Sequence, residues 1–298
     1  MRTALLIVLT VLLIAPAAWG QPSAELKTKF EHRLQDLSSG VDGVVGYEIL
    51  DLVSGDRFTH LEREIFPTAS TIKLAITYEL FKQVEEKRIA LDETIVLDRT
   101  KAVGGTGVLV HMGTPTLSIR DYATLMATLS DNTATNVLID RLGMSAITSR
   151  MASLGLASTK LRRHMMDTDA ARRGDENVSS PDDLVRLLCA MYADAPIKEP
   201  SKFRMPAAVE LLKLPKESRL RRGLPAGTPV ADKPGELDGV RVDAGIVFAK
   251  NRPYAFAVMT TFLKDEVVGE RTIEEMSRAA YDYFNRLGAA GPLGRRIP

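Results

Sequence analysis

Asp243-Ala244-Gly245-Ile246-Val247-Phe248-Ala249, then Lys250-Asn251-Arg252-Pro253, then Tyr254-Ala255-Phe256-Ala257-Val258-Met259-Thr260-Thr261-Phe262 is the stretch on which the architecture turns. Two apolar runs of strand length flank a polar, Pro-containing joint, the pattern of paired strands. Beyond them, Ile273, Met276, Ala280, Tyr283 and Leu287 recur at helical spacing, which predicts a final helix over about Glu270 to Leu287. At the other end the same signals appear in reverse order. Leu26, Phe30, Leu34 and Leu37 share one face of a helix from about Ala24 to Leu37, with Ser23 as its cap. Val44 to Leu52 reads as a strand, Ser54-Gly55-Asp56 as a turn, and Arg57 to His60 as a return strand. Between these ends, roughly Thr68 to Leu212 is helical, broken by a Gly-rich loop and a polar loop. Strands at both ends around a helical middle predict an α+β fold. One antiparallel sheet forms from distant segments, the terminal helices cover a face of it, and an all-helical part is inserted. The α/β part is expected at about 21–62 and 213–290 and the helical part at about 63–212. The tail after Gly288 is expected to fray.

The 298 residues are 45% hydrophobic and 26% charged, which fits a globular chain with a substantial core and excludes disorder as its main state. The first twenty residues are read apart from that core. Arg2 gives a positive start, Ala4 to Ile14 is an apolar run too short to span a bilayer comfortably, and Ala18-Trp19-Gly20 precedes a cleavage point. Residues 1–20 are thus expected to be a signal peptide, with 21–290 exported as one catalytic unit to a periplasmic or secreted location. No stable membrane insertion is expected after cleavage, and the cleavage site disfavours an uncleaved anchor. Removing Arg2 with that segment takes Lys plus Arg from 39 to 38 against 38 Asp plus Glu, so the mature net charge is zero. Nothing in that balance points to nucleic acid or an anionic membrane as partner. Cys189, alone, cannot form an internal disulfide and sits in the apolar stretch Leu184 to Met191 as a small hydrophobe.

Three short motifs carry chemistry. In Phe66-Pro67-Thr68-Ala69-Ser70-Thr71-Ile72-Lys73, Ser70 and Lys73 are one helical turn apart. A serine hydroxyl needs a neighbouring base, and a lysine stripped of its charge by burial and nearby cations is such a base. Alone, Ser-x-x-Lys arises about once by chance in a chain this long and equally describes a solvated Lys on an amphipathic helix. Ser130-Asp131-Asn132 lies between a helix capped by Ser118 and a second one, Thr133 to Arg141, stopped by Gly143. It reads either as a turn of cap-forming residues or as a proton relay plus an amide that holds substrate. Lys233-Pro234-Gly235 reads by itself as a turn after a lysine, or as a cation and a close backbone approach to ligand, with the N–H of Glu236 as an oxyanion donor.

Taken together, the order and spacing of Ser70, Ser130 and Lys233 resemble the class A β-lactamases and penicillin-binding transpeptidases. Ser130-Asp131-Asn132-Thr133-Ala134-Thr135-Asn136 and Gly104-Gly105-Thr106-Gly107-Val108-Leu109 add to the likeness, which runs from about Gly43 to Leu287. The resemblance implies a DD-peptidase/β-lactamase-like fold with the site in the cleft between its two parts. It implies acyl transfer on a small-molecule β-lactam or D-Ala peptide; no metal or other cofactor is expected. Ser70 is the implied nucleophile, Lys73 accepts its proton and Ser130 protonates the departing nitrogen, while Asn132, Lys233, Gly235 and Glu236 position the substrate.

The likeness breaks on one loop. Class A β-lactamases free the acyl-enzyme with a glutamate-activated water. Aligning Thr159-Lys160-Leu161-Arg162-Arg163-His164-Met165 on that loop puts Met165 where the glutamate belongs. Asn177 stands where an Asp usually pairs with the loop's Arg, so base and bracing are in question together. Asp167, Asp169 and Glu176 are the substitute carboxylates. Pro234 removes a hydroxyl that would bind a substrate carboxylate, and Arg241 is the one cation expected to compensate, the plain alternative being a surface strand arginine.

The leading expectation is β-lactam hydrolysis through an acyl-enzyme at Ser70. The alternatives are a penicillin-binding D-Ala-D-Ala peptidase or esterase-like hydrolase with slow β-lactam turnover, and a non-catalytic protein that binds cell-wall fragments. Retention of Ser70, Lys73, Ser130 and Lys233 together argues against the last. His32, His60, His111 and His164 are scattered without metal-ligand spacing, and Ser70 lies in no Gly-x-Ser-x-Gly.

Overall fold

The computed structural model describes residues 22–192, 204–291 and 293–296; the expected signal peptide, 1–20, lies outside them. In chain order the elements are α1 (Pro22–Ser39), β1 (Val44–Asp51), β2 (Arg57–His60), β3 (Phe66–Pro67), a 3₁₀ turn (Ala69–Ile72) and α2 (Lys73–Glu85). Then come β4 (Thr94–Val96), β5 (Thr116–Ser118), α3 (Ile119–Thr128), α4 (Asn132–Leu142), α5 (Met144–Ser153), α6 (Thr168–Arg172), β6 (Val178–Ser179), α7 (Pro181–Tyr192) and α8 (Pro206–Lys213). The chain closes with α9 (Arg219–Arg222), β7 (Val230–Leu237), β8 (Val240–Val247), β9 (Tyr254–Thr261) and α10 (Glu266–Ala289).

One five-stranded sheet, in the order β2-β1-β9-β8-β7 and antiparallel throughout, organises the molecule. β1 pairs with β9 in a register that runs from Val44 opposite Thr261 to Asp51 opposite Tyr254. Alternation along the central strands gives each face its own core. Val45, Tyr47, Ile49, Tyr254, Phe256 and Val258 meet Phe30 and Leu34 of α1 and Ile273, Met276, Ala280 and Phe284 of α10. Leu50, Ala255, Ala257 and Met259 face the large core of the helical part, where Leu74, Ile76, Leu138, Leu184 and Leu188 pack. Burial on both faces explains why β9 is an apolar run rather than an alternating one.

Several sequence expectations shift. α1 opens at Pro22, so Ser23 lies inside the helix instead of capping it. Lys233-Pro234-Gly235 is no turn: it runs through the middle of β7. Proline is tolerated there because β7 is the edge of the sheet. The helical middle also contains two small two-stranded pairings, β3 with β6 and β4 with β5. Part of the tail is folded back rather than frayed, with Ala290 bridging Arg296.

Rings tie α1 and α10 to the sheet. Tyr254 stacks on Phe284 at 4.4 Å and Phe30 on Tyr283 at 4.5 Å, with Phe58 edge-on to Tyr283 at 5.4 Å. Phe284 is wholly buried among them. Phe284→Ala is expected to cost about 3–5 kcal/mol, by lost burial plus a cavity that the stacked rings cannot close. Urea unfolding of the two proteins checks this, and a loss under about 1 kcal/mol would show that the ring cluster relaxes into the space.

Candidate active site

Ser70 lies in the 3₁₀ turn that leads directly into α2, and that turn is pressed against β7. The contact requires glycine: a Cβ on Gly235 would lie 2.7 Å from the Thr68 carbonyl oxygen and 2.9 Å from the Ser70 amide nitrogen. Thr71 adds a hydrogen bond from its hydroxyl to the Lys233 carbonyl, 3.3 Å. Ala69 (φ 49°), Ser130 (φ 52°) and Met166 (φ 66°) hold left-handed backbone conformations, which cost non-glycine residues about 1–3 kcal/mol each and persist only where the surroundings enforce them. Ala69 precedes Ser70, Ser130 contacts Lys73, and Met166 follows the Met165 that Asn136 holds.

Lys73 is at the centre, 1% exposed. Its Nζ is 3.1 Å from Ser70 Oγ, 2.9 Å from Ser130 Oγ, 2.7 Å from the Ser130 carbonyl and 3.1 Å from Asn132 Oδ1. Burial, reinforced by the Lys233 charge and opposed by Asp131, holds its pKa well below the ordinary lysine value. Two of the four neighbours, a carbonyl and an amide oxygen, only accept hydrogen bonds. A neutral amine donates its two protons to them and has one lone pair with which to accept from either serine hydroxyl in turn. The arrangement can therefore take a proton from Ser70 and pass one through Ser130.

Lys233 closes the far side of Ser130. Its Nζ donates to Ser130 Oγ at 3.1 Å and to the Pro234 carbonyl at 3.0 Å. Burial, then the Lys216 ammonium, lower it to about 8 against the carboxylates of Asp232, Asp243 and Glu236. Glu236 itself sends its side chain to the opposite face of β7, where it pairs with Arg219. Only its backbone is left for the donor role expected of it.

Asp131 builds the turn that holds Ser130 and Asn132, a function that the sequence motif alone does not announce. Its Oδ2 accepts the amides of Val108 (2.6 Å) and Leu109 (2.9 Å), and its Oδ1 caps α4 through Ala134 N, 2.8 Å. The Gly-rich loop fits because Gly107 (φ 107°) carries no Cβ; one would fall 2.2 Å from Asp131 Oδ2. Thr106 donates its hydroxyl to the Ser130 carbonyl at 2.7 Å, and Asn132 Nδ2 donates to the Gly104 carbonyl at 3.0 Å.

The loop that departs from the family's pattern is firmly held. Asn136 accepts the Met165 amide at 2.8 Å and donates to the Met165 carbonyl at 3.1 Å. Asn136 lies in the quoted motif, yet nothing in its spacing tells of this clamp. The Met165 side chain is buried. Bracing survives in altered form: Arg163 pairs with Glu176 at 2.7 Å, and Asn177 Oδ1 accepts the amides of Arg162 (2.7 Å) and Arg163 (3.1 Å). The substitute carboxylates all have other partners. Glu176 holds Arg163, Asp167 caps α6 through Ala170 N, and Asp169, exposed, pairs with Arg172. None is hydrogen-bonded to Ser70 or Lys73. Arg241 does not replace the hydroxyl missing at Pro234. It is bound to Glu266 and Glu270, each at 2.8 Å, in the ion-pair network that also holds Arg219.

Among the described residues no group of three or more His, Cys, Asp or Glu could hold a metal ion, and no helix is long and apolar enough to cross a membrane. The family model of the Beta-lactamase enzyme family matches residues 29–284. An imipenem-hydrolyzing β-lactamase of Enterobacter cloacae is 26% identical over 87% of this chain and 91% of its own. The crystal structure of a β-lactamase from Sphaerobacter thermophilus superposes with a TM-score of 0.74 at 28% identity, covering 85% of this chain and 95% of that one. PBP-A superposes with a TM-score of 0.76 at 28% identity over 86% of this chain and 96% of its own, as does its leucine-to-glutamate mutant, solved as an acyl-enzyme complex with penicillin G. The geometry around Lys73 and this match over nearly all of the described residues lead to one conclusion: the chain belongs to the β-lactamase enzyme family and is a class A-related serine β-lactamase-like hydrolase.

Proposed function

We propose that Ser70 is acylated by β-lactams and that the protein hydrolyses them with release of the acyl group as the slow step. The observation that carries this reading is the position of Lys73 Nζ between Ser70 Oγ and Ser130 Oγ, with Lys233 on the other side of Ser130. Ser70 Oγ attacks the lactam carbonyl as its proton passes to Lys73. Ser130 then gives its proton to the departing lactam nitrogen and recovers one from Lys73. Lys233 stabilises the developing negative charge on Ser130 and attracts a substrate carboxylate. The Ser70 amide, with that of Glu236 on the adjoining strand, serves the carbonyl oxygen, and Asn132 holds the substrate amide.

Buried Met165 and the prior engagement of Asp167, Asp169 and Glu176 favour a second reading, a penicillin-binding D-Ala-D-Ala peptidase or esterase-like hydrolase whose β-lactam adduct decays slowly. The penicillin acyl-enzyme held by the glutamate mutant of PBP-A is consistent with penicillin acylation on this fold. We also infer that residues 1–20 direct export to the periplasm or medium, and that 21–290 then act as one catalytic unit.

Ser70→Ala is expected to abolish covalent labelling by a fluorescent penicillin while the circular dichroism spectrum stays unchanged; labelling at the original rate would remove Ser70 from the reaction. Lys73→Ala and Ser130→Ala should each slow acylation by about 10²-fold or more, and the double variant should be little worse than either, because one proton path is broken once. Multiplicative losses would contradict a shared relay. Mass spectrometry after penicillin exposure should show an adduct at Ser70 that outlives mixing. A transient adduct marks a lactamase and a lasting one a penicillin-binding enzyme. Met165→Glu should then speed its decay, up to the roughly 10²–10⁴-fold of a positioned general base. Rapid turnover by the unaltered protein without a burst would mean that another base is at work.

A further inference from the structure

Beside the Asn132 amide lies a residue that the reaction above does not use. Gly105 (φ 86°) has no side chain, and atoms from two other segments border the space where one would begin. A Cβ on Gly105 would lie 2.6 Å from Asn132 Nδ2 and 2.8 Å from Met166 Sδ, with Met166 Cε at 3.5 Å. The thioether of Met166 and the amide of Asn132 thus meet at one point of the Gly-rich loop.

The surroundings fix Met166 in that place. Its carbonyl accepts the Thr168 amide at 2.9 Å, and the preceding Met165 is clamped by Asn136 at both its amide and its carbonyl. Asp140 of α4 ties the two loops to each other, through His164 Nε2 at 2.9 Å on one oxygen and Lys101 Nζ at 2.9 Å on the other. Met165 packs into the core of the helical part, while Met166 is 46% exposed. A left-handed backbone (φ 66°) therefore holds a large apolar side chain out of the core, forgoing burial that a ligand covering it would restore.

The chemistry of such a ligand follows from its neighbours. Asn132 Oδ1 is taken by Lys73, and Nδ2 gives one proton to the Gly104 carbonyl, so a single N–H remains for a substrate carbonyl. Whatever that carbonyl carries continues beside Gly105 and the Met166 sulfur. The nearby carboxylates are engaged elsewhere: Asp131 holds the Val108, Leu109 and Ala134 amides, and Asp167 caps α6. Bare glycine backbone and a polarisable thioether suit a flat apolar group, an aromatic ring above all.

We propose that Met166 is a specificity-determining residue, whose thioether, with the bare backbone of Gly105, receives an aromatic or other apolar group borne by the substrate carbonyl that Asn132 holds. The preferred substrates are then β-lactams with an aryl- or alkyl-bearing amide on the ring, over those with a charged group or none there. This deepens the reading given under the proposed function and rests on its assignment of Asn132 to the substrate amide.

The test compares benzylpenicillin, whose amide carries a phenylmethyl group, with aminopenicillanic acid, the same fused rings without the acyl group. The ratio of their acylation rates at Ser70, followed by mass spectrometry, should fall about five- to tenfold in Met166→Ala, the size of a lost sulfur–ring contact with some apolar burial. Met166→Leu, apolar and of similar volume, should keep most of the ratio. A loop merely disturbed by the substitution would slow both compounds alike, and that unmoved ratio would overturn the proposal. Independently, protein labelled with 13C at the methionine methyls reads the contact without chemistry, the Met166 signal being identified by its loss in Met166→Leu. In Ser70→Ala protein, benzylpenicillin should move that methyl resonance upfield through the ring current, and aminopenicillanic acid should not. A methyl signal that benzylpenicillin leaves in place would also overturn the proposal. If neither compound acylates the unaltered protein yet the methyl moves, the acylation reading falls and the Met166 contact stands.

Discussion

A lysine amine sealed from water between two serine hydroxyls is the constraint on which this molecule is built. A charged ammonium there would forfeit its hydration for neutral partners, so burial favours the neutral amine of Lys73. Maintaining that condition engages much of the structure. The Ser130 turn must close over the amine, which Asp131 secures by gathering the Gly-rich loop and the start of α4 onto one carboxylate. The sheet must bring Lys233 close enough to repel a second charge, and β7 comes that close only because position 235 has no side chain. Strain at Ala69, Ser130 and Met166 is the local cost of holding these parts together.

The two lysines are not equivalent. Lys73 has no carboxylate in hydrogen-bond contact, and its neighbours are oxygen atoms of serine and asparagine. Lys233 is backed by the carboxylates of its own sheet and so retains more of its proton affinity. One residue type therefore has a lower proton affinity on one side of Ser130 than on the other, the difference being which charges lie within a few ångströms.

Much of this was legible in the chain. Apolar runs at both ends located the sheet, and the helical periodicities of Leu26 to Leu37 and Ile273 to Leu287 located its cover. Ser70, Lys73, Ser130, Asn132 and Lys233 were readable as a set, and the structure brings them together around one amine. What escaped has a common physical cause. β7 was hidden because Pro-Gly is turn chemistry unless the strand is an edge pressed against another backbone, which is a tertiary fact. The Asn136 clamp on Met165, the Glu176 partner of Arg163 and the inward-facing Asp232 and Asp243 all depend on contacts between segments remote in sequence or on adjacent strands. A local pattern does not encode which carboxylate a distant arginine will find.

The pairing of β1 with β9 has a consequence for the order in which the chain can fold. β1 is made early, but its central neighbour ends at Thr261, after the whole helical segment. Until Tyr254 to Thr261 have been synthesised, Val44 to Asp51 has only the four-residue β2 beside it. The other edge is a row of unmet amides and carbonyls on an apolar strand, a template for pairing with another chain. Closing a loop of about two hundred residues is slow, as for any sheet assembled from sequence-distant strands. A polypeptide truncated before β9 keeps all of the candidate-site residues and lacks the central partner of its first strand. Aggregation, rather than a small active fragment, is the fate that this topology assigns to it.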